Sequence, residues 1–575
     1  MKKRIWFVLL LGAMAADARE VTVRVLATTD LHGNIYPYDY YAGRPAARGL
    51  AKIATLIAAE RAANPNTLLV DCGDTIQGTP LESVYQYSAR RGSLPLNIRP
   101  VAPLTADPMM LAMNALGYDS MTVGNHEWNF GLKNLNRARS DATFPWISAT
   151  FEAVPGSAAK PFAPWIVKTV GGVKVAIIGI TTPGETVWEK PENYAGYRVL
   201  SGKEAALKAV ADVKQKEHPD VIIAAVHAGL EKDVKNGVIL QTPNPLGDLP
   251  GENMVYQLAT EVPGIDAIIF GHTHSELKSA RVGDVLLMQP RNWGMSLGEL
   301  EMKLEDGADG RWHISSKNSR VIPVTTEMPA DEAILKIGKP YHETAELFLN
   351  TPVTESPVAM QGAVARVEDS PLIDMIHEVQ LHYAAADVSF ASIFNGGLRI
   401  SKGPLTVRQI AGLYIYDNTL YAIEGNGKMV RQALENAARY FLGCSGDCDK
   451  GPLINKNVLA YNYDMAAGVD YEIDLRQPEG QRIRNLRYRS APLADDQKLR
   501  IAVNNYRDGG AGGYDVFRGA KIVWRSTDEI RDLMIEYFSE HKTVPSKAVG
   551  NWKIVPPSAA AELVREVRGE GPLLN

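Results

Sequence analysis

The chain has 575 residues, of which 45% are hydrophobic and 22% charged, and a formal net charge of -5. One hydrophobic core stops growing at roughly 250–300 residues, so two domains are expected, with a composition ordinary for a soluble globular protein. The mild negative charge leaves no basic footprint for a nucleic-acid polymer. A small anionic ligand stays compatible, because a metal site carries its own positive charge.

In chain order, the first element is not part of the fold. Lys2, Lys3 and Arg4 precede a short apolar run from Ile5 to Ala16, and Ala13, Ala15, Ala16 and Ala18 offer small-residue cleavage sites. This is the pattern of a secretory signal peptide over 1–18, and the run is too short for the ~20 apolar residues of a membrane span. The expected product is a periplasmic or secreted monomer with no further membrane contact. Strands follow at Val21–Thr28, Thr67–Val70, Met121–Val123, Lys174–Ile180, Val221–Val226, Asp266–Phe270 and Asp284–Met288. They are rich in Val and Ile and end in turn or polar residues. Helical spacing marks Leu50–Ala63, Asp107–Leu116, Lys203–Lys216 and Asn253–Thr260 between them. The alternation predicts an α/β domain over 19–325 with a covered sheet. Asp331–Leu349 reads as a solvated helix in a linker over 326–350, about which domain movement is expected. A second α/β domain covers 351–557, and 558–575 reads as a helical tail. Cys444 and Cys448 are four apart and suit a local disulfide in an oxidising compartment, with a metal-binding thiol pair as the rival; Cys72 reads as buried and inert.

Nearly every polar motif of the first domain comes directly after a strand, where α/β sheets collect their ligand sites. Asp30 and His32 are two apart on a segment read as extended, so both side chains point to one side. Asp74 follows Gly73 and is the natural bridging carboxylate. Asn125 and His227 supply an oxygen and a nitrogen for a second ion, and His272 and His274 could take one ion each. Oxygen and imidazole donors in this number point to two divalent cations, with Mn, Zn, Fe, Co and Ni all suited.

Asp30-Leu31-His32, Gly73-Asp74, Gly124-Asn125-His126-Glu127, His227-Ala228-Gly229 and Gly271-His272-Thr273-His274 resemble the five signatures of calcineurin-like metallophosphoesterases. Longer features are similar to the secreted nucleotidases of that group. The resemblance implies a four-layer α/β/β/α domain followed by a substrate-binding nucleotidase domain. It also implies that His126 faces the substrate, stabilising the transition state or protonating the leaving oxygen. Members specific for 5′-nucleotides carry an aspartate three residues after this histidine; here the residue is Asn129. The stretch 124–131 and the run from Asp74 to Leu81 instead resemble the branch acting on 2′,3′-cyclic nucleotides and 3′-nucleotides.

In the second domain the resemblance makes Tyr416 and Tyr506 a base clamp, since stacking on a base is worth ~1–3 kcal/mol per ring. Asn395, Gly396, Gly397 and Arg399 form a further substrate-contacting constellation, with Arg366 and Arg507 as weaker candidates that also fit ordinary surface charges. The expected activity is hydrolysis of 2′,3′-cyclic nucleotides to 3′-nucleotides, then to nucleoside and phosphate. A 5′-nucleotidase or nucleotide-sugar hydrolase is the rival enzyme. A catalytically silent nucleotide-binding surface protein is the rival outside enzymes, and a sulfur-oxidation hydrolase is more remote.

Overall fold

The structure is a computed structural model that describes residues 19–235, 251–416, 418–446, 448 and 452–569. The expected signal peptide and Asp417 lie outside the described residues. Two six-stranded sheets build the first domain. One has the order Trp312–Pro323, Ser296–Asp306, Glu20–Thr28, Thr67–Asp71, Ser120–Thr122, Trp146–Ile147. The other has the order Leu277–Val282, Val285–Gln289, Ala267–Phe270, Val221–His227, Val173–Thr181, Trp165–Val170.

The strand period of two assigns each face. Val23, Val25 and Ala27 join Val175, Ile177, Ile223 and Ala225 in one core between the sheets. Leu26 and Leu69 turn the other way, onto Leu50, Ile53, Met109 and Met113 of the outer helices. Ala176, Ile178 and Ala224 pack on Ala205, Ala209 and Leu258 on the opposite side. Helix, sheet, sheet and helix are therefore stacked in the expected four layers. Helices begin where the chain offers caps: Asp107 Oδ1 accepts from the Met109 and Met110 amides, and Asp331 Oδ1 from those of Ala333 and Ile334.

Two expectations are corrected. Glu332–Leu349 is amphipathic rather than solvated, with Ile334, Tyr341, Ala345, Phe348 and Leu349 buried. Its Tyr341 hydroxyl donates to Ala106 O at 2.7 Å, which fastens the helix to the first domain. The tail helix Pro557–Gly569 buries Ala559, Leu563 and Val567 and belongs to the second domain. That domain holds a five-stranded sheet ordered Met465–Ala467, Val388–Ala391, Lys498–Asn504, Thr419–Asn426, Ile522–Glu529, and a four-stranded sheet beside it. Cys444 and Cys448 are joined by a disulfide, and Cys72 is buried and free.

The core between the sheets fixes where the strand ends lie. Ile177 is fully buried there. Ile177→Ala is expected to cost about 2–5 kcal/mol through the cavity it leaves. The catalytic-domain transition in urea, followed by circular dichroism, should move to lower denaturant accordingly.

Candidate metal centre

Glu20–Thr28, Thr67–Asp71 and Ser120–Thr122 run parallel, as do Val173–Thr181, Val221–His227 and Ala267–Phe270. Cross-sheet bonds from Thr122 Oγ1 to Ala225 O and from Thr181 Oγ1 to Val123 O align the carboxyl ends of both sets. Asp30, His32, Asp74, Asn125, His227, His272 and His274 all leave this shared edge.

The local backbone is not extended, contrary to the reading for Asp30 and His32. Asp30, His32, Asp74, His272 and His274 have φ of 50°, 47°, 59°, 75° and 54°. Aspartate and histidine enter this left-handed region more readily than most residues, at a cost of order 1–3 kcal/mol each. The turns are held by neighbours: the Asp30 amide donates to Gly73 O, the His32 amide to Asp74 O, and the His272 amide to the Asp30 carboxylate. The fully buried Glu127 carboxylate takes the amides of Asp74, Thr75 and Gly124. Close approach also demands glycine at 124, where a Cβ would meet Asp74 Oδ1 at 2.3 Å.

The donor atoms fall into two groups, Asp30 with His32 and His274, and Asp74 with His227 and His272. His32 Nε2 and His274 Nε2 are 3.0 Å apart. Asn125 Oδ1 is 3.0 Å from both His227 Nε2 and His272 Nδ1. Asp74 Oδ2 lies 3.0 Å from His227 Nε2 and 3.9 Å from His32 Nε2, between the groups. The outer ring nitrogens already have partners: His32 Nδ1 donates to Gln77 O, His227 Nδ1 to Cys72 O, and His272 Nε2 to Glu252 Oε1. Each of these rings thus turns its remaining nitrogen inward, the preparation metal-ligating histidines require. Converging nitrogen and oxygen donors of this kind fit two cations, once His227 has given up its proton.

Electrostatics agree. Burial and the neighbouring His274 push His32 down to about 4, so it is neutral at pH 7. Burial alone would lower His227, but the Asp74 carboxylate against it pushes it up to about 10. In the metal-free protein a proton therefore occupies the His227–Asp74 pair.

His126 stands beside this cluster, its ring 5.2 Å from that of His32. Its Nδ1–H donates to Asn129 Oδ1 at 2.6 Å, and Asn129 Nδ2 donates to Glu189 Oε2 at 2.8 Å. Sequence reading missed Glu189, which is sixty residues further on and carries no local motif. It also missed Glu252 behind His272, and Trp188, whose indole stacks on His272 at 5.6 Å.

In the second domain Tyr416 is 42% exposed and meets Phe394 and Tyr461 edge-on at 5.0 and 6.3 Å. Burial holds the Tyr506 hydroxyl above the usual phenol range, and the Arg507 guanidinium lies 5.5 Å from its ring centroid. Asn505 Nδ2 donates to Trp188 O at 3.3 Å, so the loop that carries Tyr506 touches the first domain. Asn395 holds its own loop, accepting from the Gly397 amide and donating to Gly412 O. Arg399 lies exposed on a two-residue strand and, among the described residues, bonds to neither tyrosine. Arg366 and Arg507 are not surface charges: both are buried, Arg366 on the carbonyls of Ile393 and Phe394, Arg507 in a bidentate pair with Asp464.

Metal uptake must displace the His227 proton. Affinity is therefore expected to fall about tenfold per unit as pH drops from 8 to 6, and titration calorimetry in two buffers should register a released proton. Asp74→Asn removes the shared carboxylate and should cut bound metal from ~two equivalents to below one by elemental analysis.

Residues 23–276 match the family described as "Calcineurin-like phosphoesterase", and 351–519 match "5'-nucleotidase, C-terminal domain". The trifunctional nucleotide phosphoesterase protein YfkN of Bacillus subtilis is 32% identical over 95% of this chain, which spans only 40% of that protein's length. A 2',3'-cyclic-nucleotide 2'-phosphodiesterase/3'-nucleotidase of Salmonella typhimurium is 29% identical over 95% of this chain and 90% of its own. The structure of a putative 5'-nucleotidase from Staphylococcus aureus superposes with a TM-score of 0.76 at 25% identity, covering 93% of this chain and 100% of that one. With both halves of its fold matched in order, the chain belongs to the calcineurin-like phosphoesterases that carry a 5'-nucleotidase C-terminal domain.

Proposed function

We propose that the protein hydrolyses nucleotide phosphoesters, opening 2′,3′-cyclic nucleotides to 3′-nucleotides and then removing the 3′-phosphate. The observation that carries this is the junction of two sites. A pair of converging donor clusters is linked through Trp188, which stacks on His272 and accepts from Asn505, to the loop that carries Tyr506. The first suits a phosphoryl group and the second a base. The amide at Asn129, where 5′-specific enzymes carry a carboxylate, favours the cyclic and 3′ reading, as does the name of the Salmonella relative. With the chain's leader read as a secretory signal, the site of action is the periplasm or the exterior, and the gain is phosphate and nucleoside scavenging. Among the described residues no helix is long and apolar enough to cross a membrane.

Asp30, His32, Asp74 and His274 would hold one divalent cation, and Asp74, Asn125, His227 and His272 the other. When bound, such a pair supplies Lewis acidity and lowers the pKa of a coordinated water. The chain's own groups do the rest. Water adds to phosphorus, the bond to the 2′ oxygen breaks, and that oxygen takes up a proton. His126, with Nδ1 committed to Asn129, has Nε2 left to give that proton to the leaving oxygen. Tyr416 and Tyr506 hold the base by stacking, which tolerates any base. The nucleoside must turn over between the two steps, and a clamp without base-specific bonds allows it.

A phosphate-release panel decides the substrate. Release from 2′,3′-cyclic AMP and 3′-AMP should exceed that from 5′-AMP and vanish with chelator. Much faster release from 5′-AMP would give the rival reading. Tyr416→Ala and Tyr506→Ala should each raise KM about 5- to 150-fold, the equivalent of ~1–3 kcal/mol of stacking, with smaller changes in kcat.

A further inference from the structure

We propose that Glu189 is a positioning residue for His126, acting through Asn129 to set which nitrogen of the imidazole carries its hydrogen toward the protein. The inference deepens the reading above and rests on it.

An asparagine next to a histidine is ambiguous by itself. The two ends of the carboxamide have nearly the same shape, one donating and the other accepting. With the oxygen toward Nδ1, the ring keeps a hydrogen there and can present either a lone pair or a second N–H at Nε2. With the amide reversed, Nδ1 would face N–H groups. It would have to be the bare nitrogen, and a ring protonated on both nitrogens would be opposed. An aspartate has no such ambiguity, because both its oxygens accept.

Glu189 removes the ambiguity. Its Oε2 takes Asn129 Nδ2–H at 2.8 Å, which directs Asn129 Oδ1 at His126 Nδ1, 2.6 Å away. Its Oε1 accepts from the Lys190 amide at 2.7 Å and from Asn193 Nδ2 at 2.9 Å. All these contacts are donors to Glu189, so it acts as an acceptor on both oxygens and is fixed in orientation from two sides. Asn193 Nδ2 also reaches the Asn129 carbonyl at 3.5 Å, so the loop behind the amide is held at a second point. The half-buried site strengthens each of these bonds relative to water. The chain thus places its carboxylate one residue further from the imidazole than an aspartate at 129 would, and passes its orienting effect through an amide.

The test relocates the carboxylate. Glu189→Gln keeps the shape of the side chain but can donate or accept, so the Asn129 amide is free to reverse. Combining it with Asn129→Asp puts an acceptor-only group directly against His126, and Glu189 is no longer needed. Wild type, the single variant and the double variant are compared on 3′-AMP, 2′,3′-cyclic AMP and 4-nitrophenyl phosphate, each with metal content measured. For Glu189→Gln the expected result is a fall of about tenfold or more in kcat on both nucleotides, within the range proton transfer contributes. KM should stay within about threefold, and turnover of the nitrophenyl ester, whose leaving group needs no proton, should change little. The double variant should regain most of the lost kcat. Nitrogen-15 NMR of His126, assigned with a His126→Ala control, should show Nδ1 protonated in wild type and mixed tautomers in the single variant.

Equal losses on nucleotides and the nitrophenyl ester, or no recovery in the double variant at full metal content, would reduce Glu189 to a loop brace and overturn the proposal. Both substitutions are isosteric, and the NMR signature reads the tautomer even where turnover is low. Wild-type protein that cleaves the nitrophenyl ester but neither nucleotide would sink the substrate reading instead, while the His126 spectra would still decide the role of Glu189.

Discussion

The catalytic half is organised around one carboxylate, Asp74. Its Oδ2 lies between the two donor groups, its Oδ1 accepts the His126 amide, and its own amide is held by Glu127. Burial would raise its pKa, but His227, His126 and His32 hold it well below the ordinary carboxylate range. A charged group so enclosed is stable only if cations surround it. Without metal, the protonated His227 provides one; with metal, the ions take its place. The left-handed turns at five ligand positions serve the same end, since they turn side chains of three separate loops toward one centre.

Such strain needs a rigid support. The two sheets supply it because their inner faces interdigitate through a continuous apolar core, while their outer faces are each sealed by helices. Parallel strands then bring the ligand loops out at one edge in fixed register. The fold brings the donors together, and the buried Glu127 carboxylate steadies them by taking up the loop amides of Asp74, Thr75 and Gly124.

The seven parallel-sheet strands and four helices were legible because each carries an uninterrupted apolar period. The antiparallel hairpin Ser296–Asp306 and Trp312–Pro323 was not. Its second strand buries little and reads Ser315, Ser316, Lys317, Asn318, Ser319, a polar run that owes its conformation to pairing with its neighbour. The donor residues were legible as types placed after strands. Their backbone conformation was not, since a two-residue spacing says nothing about φ. Glu189, Glu252, Trp188 and Tyr461 stayed hidden because each acts on a motif residue far away in sequence. Arg507 shows the converse: a charge next to Tyr506 fitted an ordinary surface residue in sequence, yet its guanidinium is buried on Asp464 and nearby carbonyls.

The segment Glu185–Tyr194 ties these threads together. One part of it, Glu189, reaches Asn129 and through it His126. Another, Trp188, stacks on His272 and accepts from Asn505, next to Tyr506. A third, Lys190, donates to Ser526 O in the second domain. The contacts from this segment across the domain boundary are polar and individually worth only about 0.5–1.5 kcal/mol, because water can replace them. The between-sheet core has no such substitute. The metal edge is thus built on the between-sheet core, and this segment's hold on the Tyr506 loop on bonds that exchange easily. The proposed two-step hydrolysis would use that division: donors held still on the sheet edge, and a pair of tyrosines across exchangeable bonds from them.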